Sequence, residues 1–189
     1  MSTEPSKHPK AGDLLISEPF LQDANFVRSV VLLCEHNPEG SFGLILNKPS
    51  ILHLGELVDE LSFLENEVYV GGPVEQNTLH FVYFGEKYLE ESIEIGPQLW
   101  WGGEFEGLVE KLKSGEIPSD KIKFFIGYSG WGGGQLEEEM EDKTWIICRE
   151  ENMEEALEKS PDELWKILLK NMGGEFKVIA NYPLDPRLN

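Results

Sequence analysis

A chain of 189 residues, 40% of them hydrophobic, is long enough to bury the core of one domain. Its formal charge of −19, from 35 Asp and Glu against 16 Lys and Arg, argues against direct nucleic-acid binding, because a grip on a phosphate backbone draws mainly on Lys and Arg. No run approaches the ~20 apolar residues that span a bilayer, and the first ten residues lack the apolar stretch of a signal peptide, so the expectation is a cytoplasmic protein away from membranes.

The acidity is uneven. Residues 1–50 hold six acids and four bases, so the other 139 carry −17, and a surface that tolerates an anion is expected in the first quarter. Cys34 and Cys148 lie far apart in apolar contexts, without Cys-x-x-Cys spacing, and read as two buried, reduced thiols.

Residues 1–11, polar and proline-bearing, read as a mobile tail, and 12–189 as one domain. Residues 13–17 read as a strand ending before Pro19, followed by a polar connection, 22–28, anchored by Phe26. Two apolar runs, 29–36 and 42–48, flank the five-residue turn 37–41 and predict a hairpin covered on both faces. Leu54, Leu57, Val58 and Leu61 recur at helical spacing. Strand 67–70 runs into Gly71-Gly72-Pro73, and 78–84 is strand-like again. Residues 96–103 read as a loop whose Trp100 and Trp101 cap the core or line a cleft. The stripe Phe105, Leu108, Val109, Leu112 predicts a helix closed by Gly115.

Strand 124–128, a glycine-dense turn and a helix over 135–141 follow, a geometry in which backbone N–H groups approach a ligand closely. The acids of 137–142 read as a solvated helix face. After a strand at 144–148, the clearer of two further helices has Ser160 as N-cap, Pro161 in its first turn and Glu163 completing a capping box, with a stop at Gly173. Residues 181–189 read as an extended end.

Gly127-Tyr128-Ser129-Gly130-Trp131 falls one residue short of a nucleophile elbow, which needs glycine where Trp131 stands. Gly130 and Gly132 fit the dinucleotide fingerprint, but Gln135 occupies its third glycine position, and no Gly-Lys-Ser/Thr phosphate loop occurs. The glycines therefore read first as a tight turn with close backbone packing. No cofactor is expected. No metal is expected either, since His36, His53 and His80 never approach ligand spacing. A second cluster joins Asn25, Arg28, Ser29, Asn47 and Lys48, in which Arg28 forks onto a carboxylate or phosphate, or pairs with an internal acid.

Several blocks, in order from Gly12 to Asn189, together resemble the AlgH/YqgE family of small bacterial proteins: Gly12-Asp13-Leu14-Leu15-Ile16-Ser17 with Pro19; Asn25-Phe26 and Arg28-Ser29-Val30; Gly43-Leu44-Ile45-Leu46-Asn47-Lys48-Pro49; Gly71-Gly72-Pro73-Val74; Gly127-Tyr128-Ser129-Gly130-Trp131 with Gly134-Gln135-Leu136-Glu137; and Asp185-Pro186-Arg187-Leu188-Asn189. The resemblance implies a single compact α+β domain with a curved, mostly antiparallel sheet or barrel-like β core and helices packed outside. It implies no settled activity, and the family's label of transcriptional regulator carries no residue-level warrant. Where the family pattern has alanine this chain has Ser129, which weakens Ser129 as a shared nucleophile.

The resulting expectation is a non-enzymatic regulatory module, with no catalytic residue, that binds a protein partner or small ligand. Its cleft is expected to unite Asn25, Arg28, Ser29, Asn47, Lys48, Gly72, Tyr128, Gly130, Trp131 and Gln135. One alternative is a hydrolase or transferase using Ser129 or a histidine near the glycine turn. Another is indirect control of transcription through a protein partner.

Overall fold

Residues 8–184 are described in a computed structural model of the chain. The strands are β1 (Leu14–Ser17), β2 (Val30–Asn37), β3 (Gly40–Ile45), β4 (Pro49–His53), β5 (Glu67–Val70), β6 (Val74–Phe84), β7 (Ile93–Gly96), β8 (Leu99–Trp101), β9 (Ile122–Gly132) and β10 (Trp145–Cys148). The helices are α1 (Leu54–Leu57), α2 (Phe105–Ser114), α3 (Gln135–Glu141), α4 (Met153–Glu158), α5 (Pro161–Met172) and α6 (Phe176–Ile179). All ten strands join one open sheet with the path β10-β1-β2-β3-β9-β6-β8-β7, and β5 lies between β4 and β9. Every pairing is antiparallel except β5 with β9. The molecule is thus a single α+β domain, and its sheet does not close into a barrel.

Strand alternation divides the core. Leu14, Ile16, Leu32, Leu44 and Phe125 face α4, α5 and α6, joining Leu157, Leu164 and Leu168. The opposite face is shared by two clusters. Phe124 and Tyr83 pack under Leu108 and Leu112 of α2, while Leu15, Val31 and Leu33 pack under Leu136 of α3. Continuous apolarity in β1 and β2 follows from this double cover: Leu14, Leu15, Ile16 and residues 30–33 are each 0% exposed.

β9 is the strand on which the sheet turns over its partners. Its first half pairs β5 on one edge and its second half pairs β3 on that edge, with β6 opposite. The change occurs at Gly127, whose φ is +65°. Between the pairs Val74↔Tyr128 and Leu79↔Ile126, four residues of β6 stand against Gly127 alone. A left-handed residue inside a strand shifts the alternation by one, so Tyr128 rejoins the face of Phe125.

Several expectations change. The glycine-dense turn is mostly strand, since β9 runs through Gly132 and only Gly133 and Gly134 separate it from α3. Cross-strand pairing to β3 takes up Gly130 and Gly132, and Gly133 in the turn needs its missing side chain, since a Cβ there would stand 2.6 Å from the Pro38 carbonyl. The five-residue hairpin turn contracts to Pro38 and Glu39, because Asn37 pairs with Gly40 and His36 with Ser41. Half of the loop expected at 96–103 is strand: β7 and β8 form a hairpin carrying Trp100 and Trp101 beside β6. The helix over 54–61 breaks at Val58, where φ is −140°, leaving α1 and a 3-10 turn over Asp59–Leu61. Ser160 does stand at the N-cap of α5, but its side chain makes no cap hydrogen bond, so the capping box is not formed. Gly115 and Gly173 end α2 and α5 as expected.

Of the tail expected over 1–11, residues 1–7 lie outside the described residues. Pro9 is buried, and Arg149 ties the segment down by donating to the His8 carbonyl and, at 2.9 and 3.0 Å, to Asp13. The extended end expected at 181–189 is described only to Leu184, and the matching block 185–189 lies outside.

Candidate binding site

The turn of β2 into β3, the end of β9 and the start of β6 enclose an open depression of about 520 Å³. The register makes its wall: Glu35 stands opposite Phe42, and Phe42 opposite Gly130. With no side chain at Gly130 and with Tyr128 brought round by the bulge, Phe42 and Tyr128 stack at 4.6 Å with planes 25° apart. Trp101 and His80 complete the aromatic group, at 4.7 and 5.2 Å from the Phe42 ring.

The charges beside this wall are acidic. Glu35 and Glu39 border the depression, and Asn37 ties them to the hairpin by donating to Glu35 at 2.8 Å and accepting from the Glu39 N–H at 2.9 Å. Burial lowers the His80 imidazolium below its usual value, opposed in part by Glu75. Its Nε2 lies 3.0 Å from the Thr78 hydroxyl. An aromatic surface edged by carboxylates attracts a cation.

Arg28 lies in a different place. It shares a depression of about 320 Å³ with Asn47, Trp165, Lys166 and Leu184, which has no lining residue in common with the hairpin depression. Its backbone is left-handed, with φ +51°. Its guanidinium sits 4.1 Å over the Trp165 ring and donates to the carbonyls of Tyr182 and Pro183 at 2.7 and 2.8 Å. Among the described residues no acid pairs with it, and burial lowers the guanidinium from its ordinary value. Arg28 thus latches residues 182 and 183, while Phe20 stacks on Tyr182 at 5.5 Å. Arg28→Ala should therefore speed amide hydrogen exchange at Asn181 and Tyr182, whose N–H groups bond to the Val178 and Ile179 carbonyls, at least tenfold in the otherwise folded protein, with Arg28→Lys intermediate because one ammonium replaces a planar fork. Unchanged exchange would refute the latch.

The other members of the first-quarter cluster are brought together as cross-links. Asn47 accepts from the Val30 N–H and donates to the Arg28 carbonyl, both at 2.9 Å. Lys48 donates to the carbonyls of Ala24 and Asn25, and burial lowers its ammonium despite Asp23 nearby. Ser29 is 0% exposed. Its Oγ and the Arg28 Nε are buried without a hydrogen-bond partner among the described residues.

On β9, Tyr128, Gly130 and Trp131 line the depression. Trp131 turns inward, 6% exposed, and packs 6.4 Å from Phe26. Its indole donates to Glu139 at 2.9 Å, and that same carboxylate oxygen accepts from Trp145 at 2.7 Å. Gln135 fastens the turn, accepting from the Gly132 N–H at 3.0 Å and donating to Glu139 at 2.9 Å. Gly72 serves close approach: a Cβ there would lie 2.1 Å from the Tyr128 carbonyl.

Ser129 is 0% exposed and donates to the Gly71 carbonyl at 3.0 Å, which removes it as a nucleophile. His36 lies 2.8 Å from the Ser41 hydroxyl and 3.5 Å from Glu137, tying the hairpin to α3. Cys34 and Cys148 are buried and free, and burial raises both thiols, Cys148 to about 12. Among the described residues no group of three or more His, Cys, Asp or Glu could hold a metal ion, and no helix is long and apolar enough to cross a membrane.

Sequence reasoning missed Phe42, Glu35 and Glu39. Phe42 read as one more core residue of an apolar run, and only the register that opposes it to Gly130 exposes its ring.

An open, mostly antiparallel sheet with helices on both faces makes this an α+β protein. The family model described as AlgH-like, a domain of unknown function, matches residues 14–177. A UPF0301 protein from Cytophaga hutchinsonii is 46% identical over 179 residues, covering 94% of this chain and 98% of that one, and one from Parabacteroides distasonis is 38% identical over 183 residues, covering 96% and 92%. Among solved structures, the AlgH protein from Pseudomonas aeruginosa superposes with a TM-score of 0.71 at 26% identity over 97% of this chain and 98% of that chain. A Corynebacterium diphtheriae protein gives 0.78 at 18% identity over 93% of each, a likeness of fold. The chain belongs to the AlgH-like family.

Proposed function

We propose that this protein is a non-enzymatic cytoplasmic binding module whose hairpin depression receives a cationic group, the guanidinium or amine of a basic segment on a protein partner. One observation carries the reading: the Phe42 and Tyr128 rings stack at 4.6 Å beside Glu35 and Glu39, over a floor kept free of side chains at Gly40 and Gly130. A cation over such rings gains about 0.5–2 kcal/mol, and the carboxylates add attraction that salt screens. The overall charge of −19 favours encounter with a basic partner over nucleic acid. Any regulatory effect on transcription would pass through that partner.

Titration with arginine- and lysine-containing peptides, followed by backbone NMR shifts, tests this reading. Shifts should centre on Phe42, Tyr128 and Gly130, and weaken as salt rises. Phe42→Ala and the double change Glu35→Gln with Glu39→Gln should each lower affinity about tenfold, equivalent to ~1.4 kcal/mol. Peptide shifts confined to other surfaces, or unaffected by these changes, would dismiss it.

A further inference from the structure

On the α4 side of the sheet, away from the hairpin, β9 carries a lysine partly withdrawn from solvent. Lys123 is half-buried and borders a cavity of about 60 Å³ with Val82, Phe84, Lys121 and Leu157. Its Nζ donates to the Leu157 carbonyl at 2.8 Å and lies 4.2 Å over the Tyr69 ring. An ammonium has three donors, yet among the described residues no carboxylate stands within ion-pair distance of this one. Three of the nearby acids are occupied. Glu154 and Glu158 of α4 lie 2.6 and 3.9 Å from Lys121, and Glu67 of β5 accepts from the Tyr69 hydroxyl at 3.0 Å. Asp120 borders the cavity from the turn before β9.

We propose that Lys123 is an acyl-acceptor site for a small, two-carbon acyl group delivered as a thioester. The neutral amine attacks the acyl carbon and forms the amide C–N bond. The C–S bond breaks, and the proton lost from nitrogen passes to the departing thiolate. The cavity holds roughly the three heavy atoms of an acetyl group and little more, which sets the chain length. The product keeps one N–H for the Leu157 carbonyl and loses the charge that burial opposes. Desolvation favours the reactive form, since burial draws the Lys123 ammonium down to about 8, against a weaker upward pull from Glu67.

The test exposes the intact protein to a simple acetyl thioester between pH 7 and 10 and follows each lysine by peptide mass spectrometry. At pH 8 the neutral fraction of Lys123 exceeds that of a solvent lysine about a hundredfold. Its lower basicity returns about tenfold of that, leaving an expected rate advantage of roughly tenfold. The Lys123 rate should level off above pH 8 while the others keep rising. Acetylation of Lys123 no faster than of exposed lysines, or a rate that climbs without levelling to pH 10, would overturn the proposal. Both outcomes are independent of peptide binding at the hairpin.

Discussion

Gly72→Ala should cost this protein more than about 3 kcal/mol, enough to leave little soluble, folded material. A Cβ at Gly72 would stand 2.1 Å from both the carbon and the oxygen of the Tyr128 carbonyl and 2.4 Å from the Ser129 nitrogen. Those atoms are backbone of the central strand, so no flexible side chain can yield, and relief requires β9 to move from β6. For a domain of this size each kcal/mol lowers Tm by about 2–4 °C, which places the expected drop near 6–12 °C or beyond. Gly134→Ala is the control. Its φ is +80° but an added Cβ meets nothing within 4 Å, so only the left-handed penalty of roughly 1–2 kcal/mol applies. Thermal unfolding followed by circular dichroism separates the two, and a Gly72→Ala protein as stable as Gly134→Ala would show that the close approach is not limiting. Because Gly72 abuts Tyr128, the same contact also positions one ring of the proposed site.

The second large effect is expected at Glu139. One of its carboxylate oxygens accepts from the indoles of both Trp131 and Trp145, and the other accepts from Gln135. Glu139→Ala leaves two indole N–H groups without their acceptor against a core in which Trp131, Trp145 and Phe26 pack edge to face or tilted. Hydrogen bonds to a charged acceptor contribute about 1.5–3 kcal/mol each, and partial access of water to this site reduces the sum. The expected loss is about 3 kcal/mol, with a red shift of tryptophan fluorescence as the indoles meet water. Glu139→Gln keeps one carbonyl acceptor and should lose about half as much. Equal stability of the alanine variant and the unaltered protein would show that the indoles find other acceptors.

Local chemistry made much of this fold legible. Helix α2 was readable from the stripe Phe105, Leu108, Val109, Leu112 and from Gly115, and α3 from the helix-forming run that follows the glycines. The double cover of β2 was readable from its unbroken apolar run. Trp100 and Trp101 were misread because glycine and proline around them resemble a loop, whereas pairing with β6 supplies the hydrogen bonds that make them strand. Likewise the glycines after Tyr128 look like a turn until β3 is laid beside them.

Of the expected site residues, Tyr128, Gly130 and Trp131 do line the hairpin depression. Arg28 was read as a fork for an anion or an internal acid in the least acidic quarter. That it reaches the carbonyls of residues 182 and 183, and not an acid, depends on contacts more than 150 residues apart in sequence.

The sequence by itself determined the elements whose cause is local, namely periodicity, caps and charge, together with the order of blocks that marks the family. Tertiary structure alone decided which side chains share a surface. The reason is the two-residue repeat of a strand: a single left-handed glycine at position 127 turns Tyr128 onto the Phe42 face, and pairing between distant strands sets Phe42 opposite Gly130.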